Sequence, residues 1–418
     1  MKSAISPPAD LTLPLAGSTT ARTVLSRAIG RLFGDLHDVL RGPIDSKGGS
    51  AGVLRARRPI GDEFVRRDIA ALSAVLAKTP DRQAALASVL RRPNVGALVR
   101  CARTSPADPV LIAELLSTLA VELAVLGVLP GPVRFERGPA KIVSLLGGFV
   151  LEHSAGALVI SNDAIETASG TRIALGANAD LRRPFHTIEG SVLLALEDNN
   201  PLAMFEAHPN KSGNRIDLGG HSAEEWCASL RDALVRIAHY LPELRAEHDL
   251  FIQQYVPVGY DAEAHLSASY REAIGTIYLG LHPQPMTMTE AVIHEFSHNK
   301  LNALFEIDDV LHNAYSPLFK SPVRPDPRPL HGILLAVHAF IPVARLYEAM
   351  LEANDPLSSH PSFGGRFDAI KAKNHEGIEV LLEHADPTPA GRALLDELAR
   401  WDRHFGGDSR AVKELPPD

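Results

Sequence analysis

The stretch Thr289-Glu290-Ala291-Val292-Ile293-His294-Glu295-Phe296-Ser297-His298-Asn299-Lys300-Leu301 decides how the chain is read. Ala291, Leu301, Ala303 and Leu304 are good helix formers, and no Pro or Gly interrupts 289–305, so the stretch reads as a helix. Residues four apart on a helix point the same way, so His294 and His298 can both reach one metal ion. Glu295 projects from the neighbouring face, where it can give or take a proton beside that ion. The apolar flanks, Val292, Ile293, Phe296 and Leu301, predict a buried helix. Two buried imidazoles without partners would be costly, which favours a metal over a pair of hydrogen-bonded core histidines.

Working outward, the residues before the motif alternate between two patterns. Helical periodicity marks 22–40, where Val24, Leu25, Ile29, Leu32, Phe33, Leu36, Val39 and Leu40 recur on one side. Further helices are expected at 62–78, 81–92 (Asp81 as its start), 95–102 and 109–128. Residues 1–20 are rich in Pro, Ser and Thr and read as loosely held, and 41–52 reads as a loop. At Leu129-Pro130-Gly131-Pro132 the pattern changes. Short apolar or β-branched runs at 133–135, 142–151, 157–161, 172–175 and 191–196 predict a small sheet.

From Ser222 the pattern turns helical again, with Glu225 completing a capping box. A strand is expected at 274–279, immediately before the motif helix, and such a strand can bind extended peptide backbone. Pro317, Pro322, Pro325 and Pro327 make 315–328 irregular, and Pro329 then opens a helix reaching about Leu351. Two more helices are expected at 367–384 and 389–405, followed by a polar tail after Gly406. The fold class is therefore α+β: a helical N-terminal region over 1–130, a small β-sheet region over 131–215, and a mainly helical metal-binding region over 216–418.

Composition bounds the function. The 418 residues carry a net charge of −8, which argues against a general nucleic-acid binder. Two cysteines without CxxC spacing fit a reducing, cytoplasmic setting and exclude a disulfide framework. The N-terminus lacks the apolar core of a secretory signal. The apolar run 110–129 is interrupted by Glu114 and Glu122 and reads as a buried helix rather than a membrane span.

A catalytic metal site needs a third protein ligand. One class of zinc peptidases has Gly three residues after the second His and a ligand three further on; those positions hold Leu301 and Leu304 here, so that class is excluded. Glu306 is roughly 12 Å along the helix from His298, too far to share its ion. Glu348, on the later helix, stays open as a ligand. His331 and His338, seven apart on the helix after Pro329, are the stronger candidates. His338, set among Leu334, Leu335, Val337 and Phe340, is the first choice, and His331 is the runner-up. Asp308, Asp309 and His312 read as a solvated turn.

Several blocks in order resemble the HExxH-containing peptide-modification family found in bacterial clusters for ribosomally made, modified peptides. They are 226–242, Val256-Pro257-Val258, His265-Leu266-Ser267-Ala268-Ser269 with Ile274-Gly275, 291–304, Ser316-Pro317 through Pro329-Leu330, and Gly332 with the helix behind it. They cover roughly the C-terminal half. The resemblance implies an iron(II)- and 2-oxoglutarate-dependent enzyme that hydroxylates a side chain of a precursor peptide at its β-carbon. His294 and His298 match the family's metal histidines; His338 is not secured by the match. Such an enzyme needs a cation for the distal carboxylate of the keto acid, and Arg suits that contact. Arg328 is the preferred candidate, Arg345 a second, and Arg324 reads as a surface residue. The bare motif leaves a zinc metallopeptidase open, with Glu295 as general base on a zinc-bound water. A non-catalytic peptide-binding site is a third reading.

Overall fold

The computed structural model describes residues 10–41, 62–176, 181–205 and 213–407. The sequence alternates helix and strand signals in blocks, and the fold follows them as an α+β architecture. Five helices come first: α1 (Thr20–Leu40), α2 (Glu63–Leu76), α3 (Arg82–Leu90), α4 (Pro93–Thr104) and α5 (Pro109–Val125). Asp62 and Asp108 cap α2 and α5 by accepting N–H bonds from the first turn. Asp81 precedes α3 as expected, but it sits in a left-handed conformation and its side chain makes no cap bond.

Short strands follow: β1 (Val133–Gly138), β2 (Lys141–Ser144), β3 (Phe149–Glu152), β4 (Gly156–Ile160), β5 (Ala164–Thr167), β6 (Arg172–Ala174), β7 (Phe185–Glu189) and β8 (Val192–Ala195). The expected single run at 142–151 is in fact the hairpin β2–β3. A turn at 145–148, with Gly148 at positive φ, breaks it. β1, β4, β5 and β6 form one antiparallel sheet in the order β1-β4-β5-β6. Glu122, which interrupts the apolar run of α5, is fully buried. Its carboxylate accepts bonds from Asn94 Nδ2 (2.6 Å), Ser144 Oγ (2.9 Å) and the Leu145 N–H (2.8 Å), clamping α5 to this hairpin. A buried carboxylate is tolerable only when satisfied in this way.

The remaining elements are α6 (Ala223–Tyr240), α7 (Pro242–Phe251), β9 (Gln254–Tyr260), β10 (Ser267–Ala268), β11 (Thr276–Leu281), α8 (Pro285–Phe305), β12 (Leu318–Phe319), β13 (Arg328–Pro329), α9 (Leu330–Glu352), α10 (Pro361–His384) and α11 (Pro389–His404). Ser222 and Glu225 form the expected capping box on α6. A second sheet runs β10-β11-β9-β8-β7, with β8, β9 and β11 mutually parallel and the two edge pairs antiparallel. This sheet takes β7 and β8 from before residue 215 and the rest from after it, so strands on both sides of that position share one core. α8 lies against β11 and packs on α6 and α9.

The expectation of a loosely held N-terminal segment is overturned within the described residues. Residues 11–13 are not loosely held: Leu11 and Thr12 are fully buried, and the Thr12 and Leu13 N–H groups donate to the Glu397 carboxylate at 3.0 Å. Residues 1–9, 42–52 and the tail beyond 407 lie outside the described residues. Among the described residues one helix, α9, is long and apolar enough by length and composition to cross a bilayer, but it is mostly buried between α8 and α10.

Candidate metal centre

The i,i+4 spacing on α8 places His294 and His298 side by side, their ring centroids 4.3 Å apart. One candidate ligand atom from each of His294, Glu295 and His298 lies within 4.8 Å of the other two. The three line a cavity of about 600 Å³. Its walls are the segment His265–Ser269, the α8 motif, the first turns of α9 (His331, Gly332, Leu335, Ala336, Phe340) and the loop carrying Ser321, Val323, Arg324 and Arg328. Arg271 and Asn302 complete it.

Glu295 and the helix that carries it are held from outside α8. Ser267 Oγ donates to Glu295 Oε1 at 2.6 Å, while Glu295 Oε2 is buried without a protein partner. Ser269 Oγ donates to the Glu295 carbonyl, and Asn299 bonds Ser269 Oγ, the Thr276 carbonyl and the Gly275 N–H. These bonds tie α8 to β10 and β11 and fix where the motif side chains point. The His294 and His298 Nδ1 atoms are buried with no protein acceptor. Behind the motif, Lys300 is fully buried and pairs with Glu247 at 2.5 Å.

Burial is the main force on the imidazoles. It holds His294 well below the ordinary histidine range, helped by His298 and His265. Burial also lowers His298, with Glu295 opposing. His331 is lowered to about 4 by burial, then by Arg271 and His298. Near neutral pH these rings are uncharged, which is the form that can ligate a metal.

The expected third ligand is placed differently. His338 is fully buried and does not line the cavity. Among the described residues, the group of close ligand atoms contains His294, Glu295 and His298 and not His338. His331 lines the cavity instead, between the rings of Phe305 (4.6 Å) and Tyr315 (5.1 Å). The physical reason lies in helix geometry. At about 100° per residue, the cavity-lining positions of α9 move round from His331 and Leu335 to Ala336 and Phe340, leaving His338 facing the core.

The arginines also sort differently from expectation. Arg328 lines the cavity, as expected, and its Nε lies 2.9 Å from Asp326. Arg324, read as a surface residue, lines the same cavity and shares Asp326 at 3.6 Å. Arg345 does not line it; its guanidinium pairs with Glu348 (3.0 Å) and Glu352 (3.2 Å). Glu348, the alternative ligand, is held by Arg345 and His404 and is likewise absent from the wall. Glu306 is buried beneath Arg103, Arg271 and Arg100, which joins α4 to the end of α8. Asp308 accepts the Val310 N–H and the Thr388 hydroxyl, as a structural turn does. His265, Ser267, Ser269 and Asn299 enter the sequence reading only as parts of the resembling blocks, and Arg271 not at all; none has a site role there, because no spacing rule connects them to the motif.

The fold and the site together define an α+β protein with a His–Glu–His group that could hold a metal ion. A scan against models of known protein families finds no match, and a search of curated proteins finds no significant one.

Proposed function

We propose that the chain is an iron(II)- and 2-oxoglutarate-dependent hydroxylase that acts on the β-carbon of a side chain in a ribosomally made precursor peptide. One observation carries this reading: a single cavity brings the two motif histidines and Glu295 together with Arg324 and Arg328. Two guanidiniums sharing one carboxylate leave a net positive wall. 2-Oxoglutarate presents one carboxylate and its keto oxygen to a metal and needs a cation for the other carboxylate. The resemblance of the C-terminal blocks points the same way. The donor set fits the metal, since two neutral imidazoles with a carboxylate beside them suit iron(II).

His294 and His298 would hold the ion, and His331 is the imidazole on the wall that could join them. When bound, iron with the keto acid supplies the oxidising power: dioxygen gives one atom to succinate, carbon dioxide leaves, and the other atom enters the substrate C–H bond. The chain's own residues bind and orient. Arg324 and Arg328 hold the distal carboxylate. Ser267 fixes one Glu295 oxygen, so that the other can accept or hold a proton at the cavity floor. Leu335, Ala336 and Phe340 keep that floor partly apolar and limit water.

A second reading, a zinc metallopeptidase, is favoured by the unpartnered Glu295 Oε2 beside the imidazoles, where a general base would sit. The test is turnover of 2-oxoglutarate to succinate in air by anaerobically purified, iron-loaded protein, with metal content read in parallel. Iron-dependent succinate that disappears in His294→Ala is the expected result. Tightly held zinc with no succinate, even with candidate peptides present, would transfer the case to the peptidase.

A further inference from the structure

Side chains of a strand alternate between two faces, so a strand that shows one face to a cavity lines it with every second residue. Here His265, Leu266, Ser267, Ala268 and Ser269 line the metal cavity in unbroken succession. Only Ser267 and Ala268 of this run form strand β10, and an extended segment lines a space in this way when its backbone edge, rather than one face, looks into it. The ladder agrees. β10 is the terminal strand of its sheet, and among the described residues no strand pairs with its outer side. Ser267 lies opposite Leu279 and Ala268 opposite Tyr278, and Leu266 O accepts the Gly280 N–H at 2.9 Å. Antiparallel alternation then turns the backbone groups of Leu266 and Ala268 toward β11 and those of Ser267 outward, over the cavity. The whole segment is half-buried, as an edge facing a cleft should be.

We infer that the outer edge of β10 receives an extended, acidic peptide segment as an added strand, with every second side chain directed at the His294–Glu295–His298 group. The inference rests on the reading of the chain as a peptide-acting protein. Backbone bonds to Ser267 set the register, and the arginine-bearing loop opposite, whose Arg324 and Arg328 share one carboxylate, selects negative charge. The residue delivered to the centre therefore has its i±2 neighbours in contact with the cavity and its i±1 neighbours facing away. Selectivity falls on alternate positions of the substrate.

The probe is a display library of random dodecapeptides selected on the full chain. The strongest binders are remade with single amide N-methylations at successive positions. The expected recovery is rich in Asp and Glu, and N-methylation weakens binding by about tenfold or more at alternate amides only. Ser267→Ala, which keeps the backbone N–H, retains binding; Ser267→Pro, which removes it and is sterically tolerable on an edge strand, loses about tenfold. No enriched peptide, equal effects at successive amides, or equal binding by the Ala variant and a Pro variant that melts like the wild type would overturn the inference. If the Pro variant does not fold, the N-methylation series on the wild-type chain decides. Succinate release is read separately. An alternating pattern without succinate removes the hydroxylase and leaves the docking edge, whereas succinate without the pattern does the reverse.

Discussion

Replacing Lys300 with Met tests how the motif helix is held. Lys300 follows His298 by two residues, is fully buried, and its ammonium sits 2.5 Å from Glu247 on α7 and 5.4 Å from the Phe296 ring centroid. Methionine keeps most of the apolar stem and removes the charge, leaving Glu247 buried without its cation. Breaking one side of a buried pair costs about 3–5 kcal/mol, because the remaining charge is uncompensated. The Glu247 carboxyl is already raised by burial even with Lys300 present, so the variant escapes part of the cost by protonating it. A raised carboxyl stabilises the fold below its unfolded value and loses that contribution as pH rises through its folded value. The cost of Lys300→Met therefore grows from acid toward pH 8. Pairing it with Glu247→Leu removes both charges, and the double variant should recover to within about 1 kcal/mol of wild type, since apolar replacement of a buried pair is often neutral or better. Urea unfolding of the four proteins at pH 5 and pH 8 measures the coupling. A single variant costing less than about 1 kcal/mol at pH 8, or a double variant no better than the single, would refute the claim that this pair braces α8.

Other outcomes follow from the same geometry. Glu397, buried and raised to about 7 chiefly by burial, keeps its proton in the folded state; its contribution is full below about 4.5 and is lost as pH rises to about 7. At about 1.4 kcal/mol for each pH unit, that window is worth about 3 kcal/mol. Glu397→Gln should flatten the difference in stability across it and leave the variant the more stable protein at pH 8, read by urea midpoints from pH 4 to 8. Arg324→Gln and Arg328→Gln should each raise the KM for 2-oxoglutarate by about tenfold or more, while Arg345→Gln, whose partners are Glu348 and Glu352, leaves it unchanged in the same succinate assay. Glu122→Ala removes the acceptor for Asn94 on α4 and for three donors at the β2–β3 turn and should cost about 3 kcal/mol or more of stability by thermal or urea unfolding.

What could be read from the sequence follows from how local each feature is. The helices of the N-terminal region are legible through periodicity and α6 through its capping box as well, because both act within a turn or two. The His294–His298 pair was legible for the same reason: helix geometry alone brings i and i+4 together. Arg345 stands away from the cavity for a local reason, since Glu348 and Glu352 stand three and seven residues on, on its own face of α9. That pairing is legible from spacing alone. His338 and Arg324 lie elsewhere than expected for a different reason. Hydrophobic neighbours marked His338 as deep, but depth in the core and access to a metal are opposed when the cavity opens at the first turns of α9. Arg324 sits among prolines that exclude regular structure. Yet the two-residue ladder β12–β13 pairs Phe319 with Arg328 and closes the loop over the cavity, which turns Arg324 inward. Ser267 lay farthest from any sequence rule. It reaches Glu295 only because β10, the edge strand of its sheet, is laid beside α8 by pairing with β11. The groups of the candidate site are thus visible where one helix supplies them, and hidden where a second element must be packed against the first.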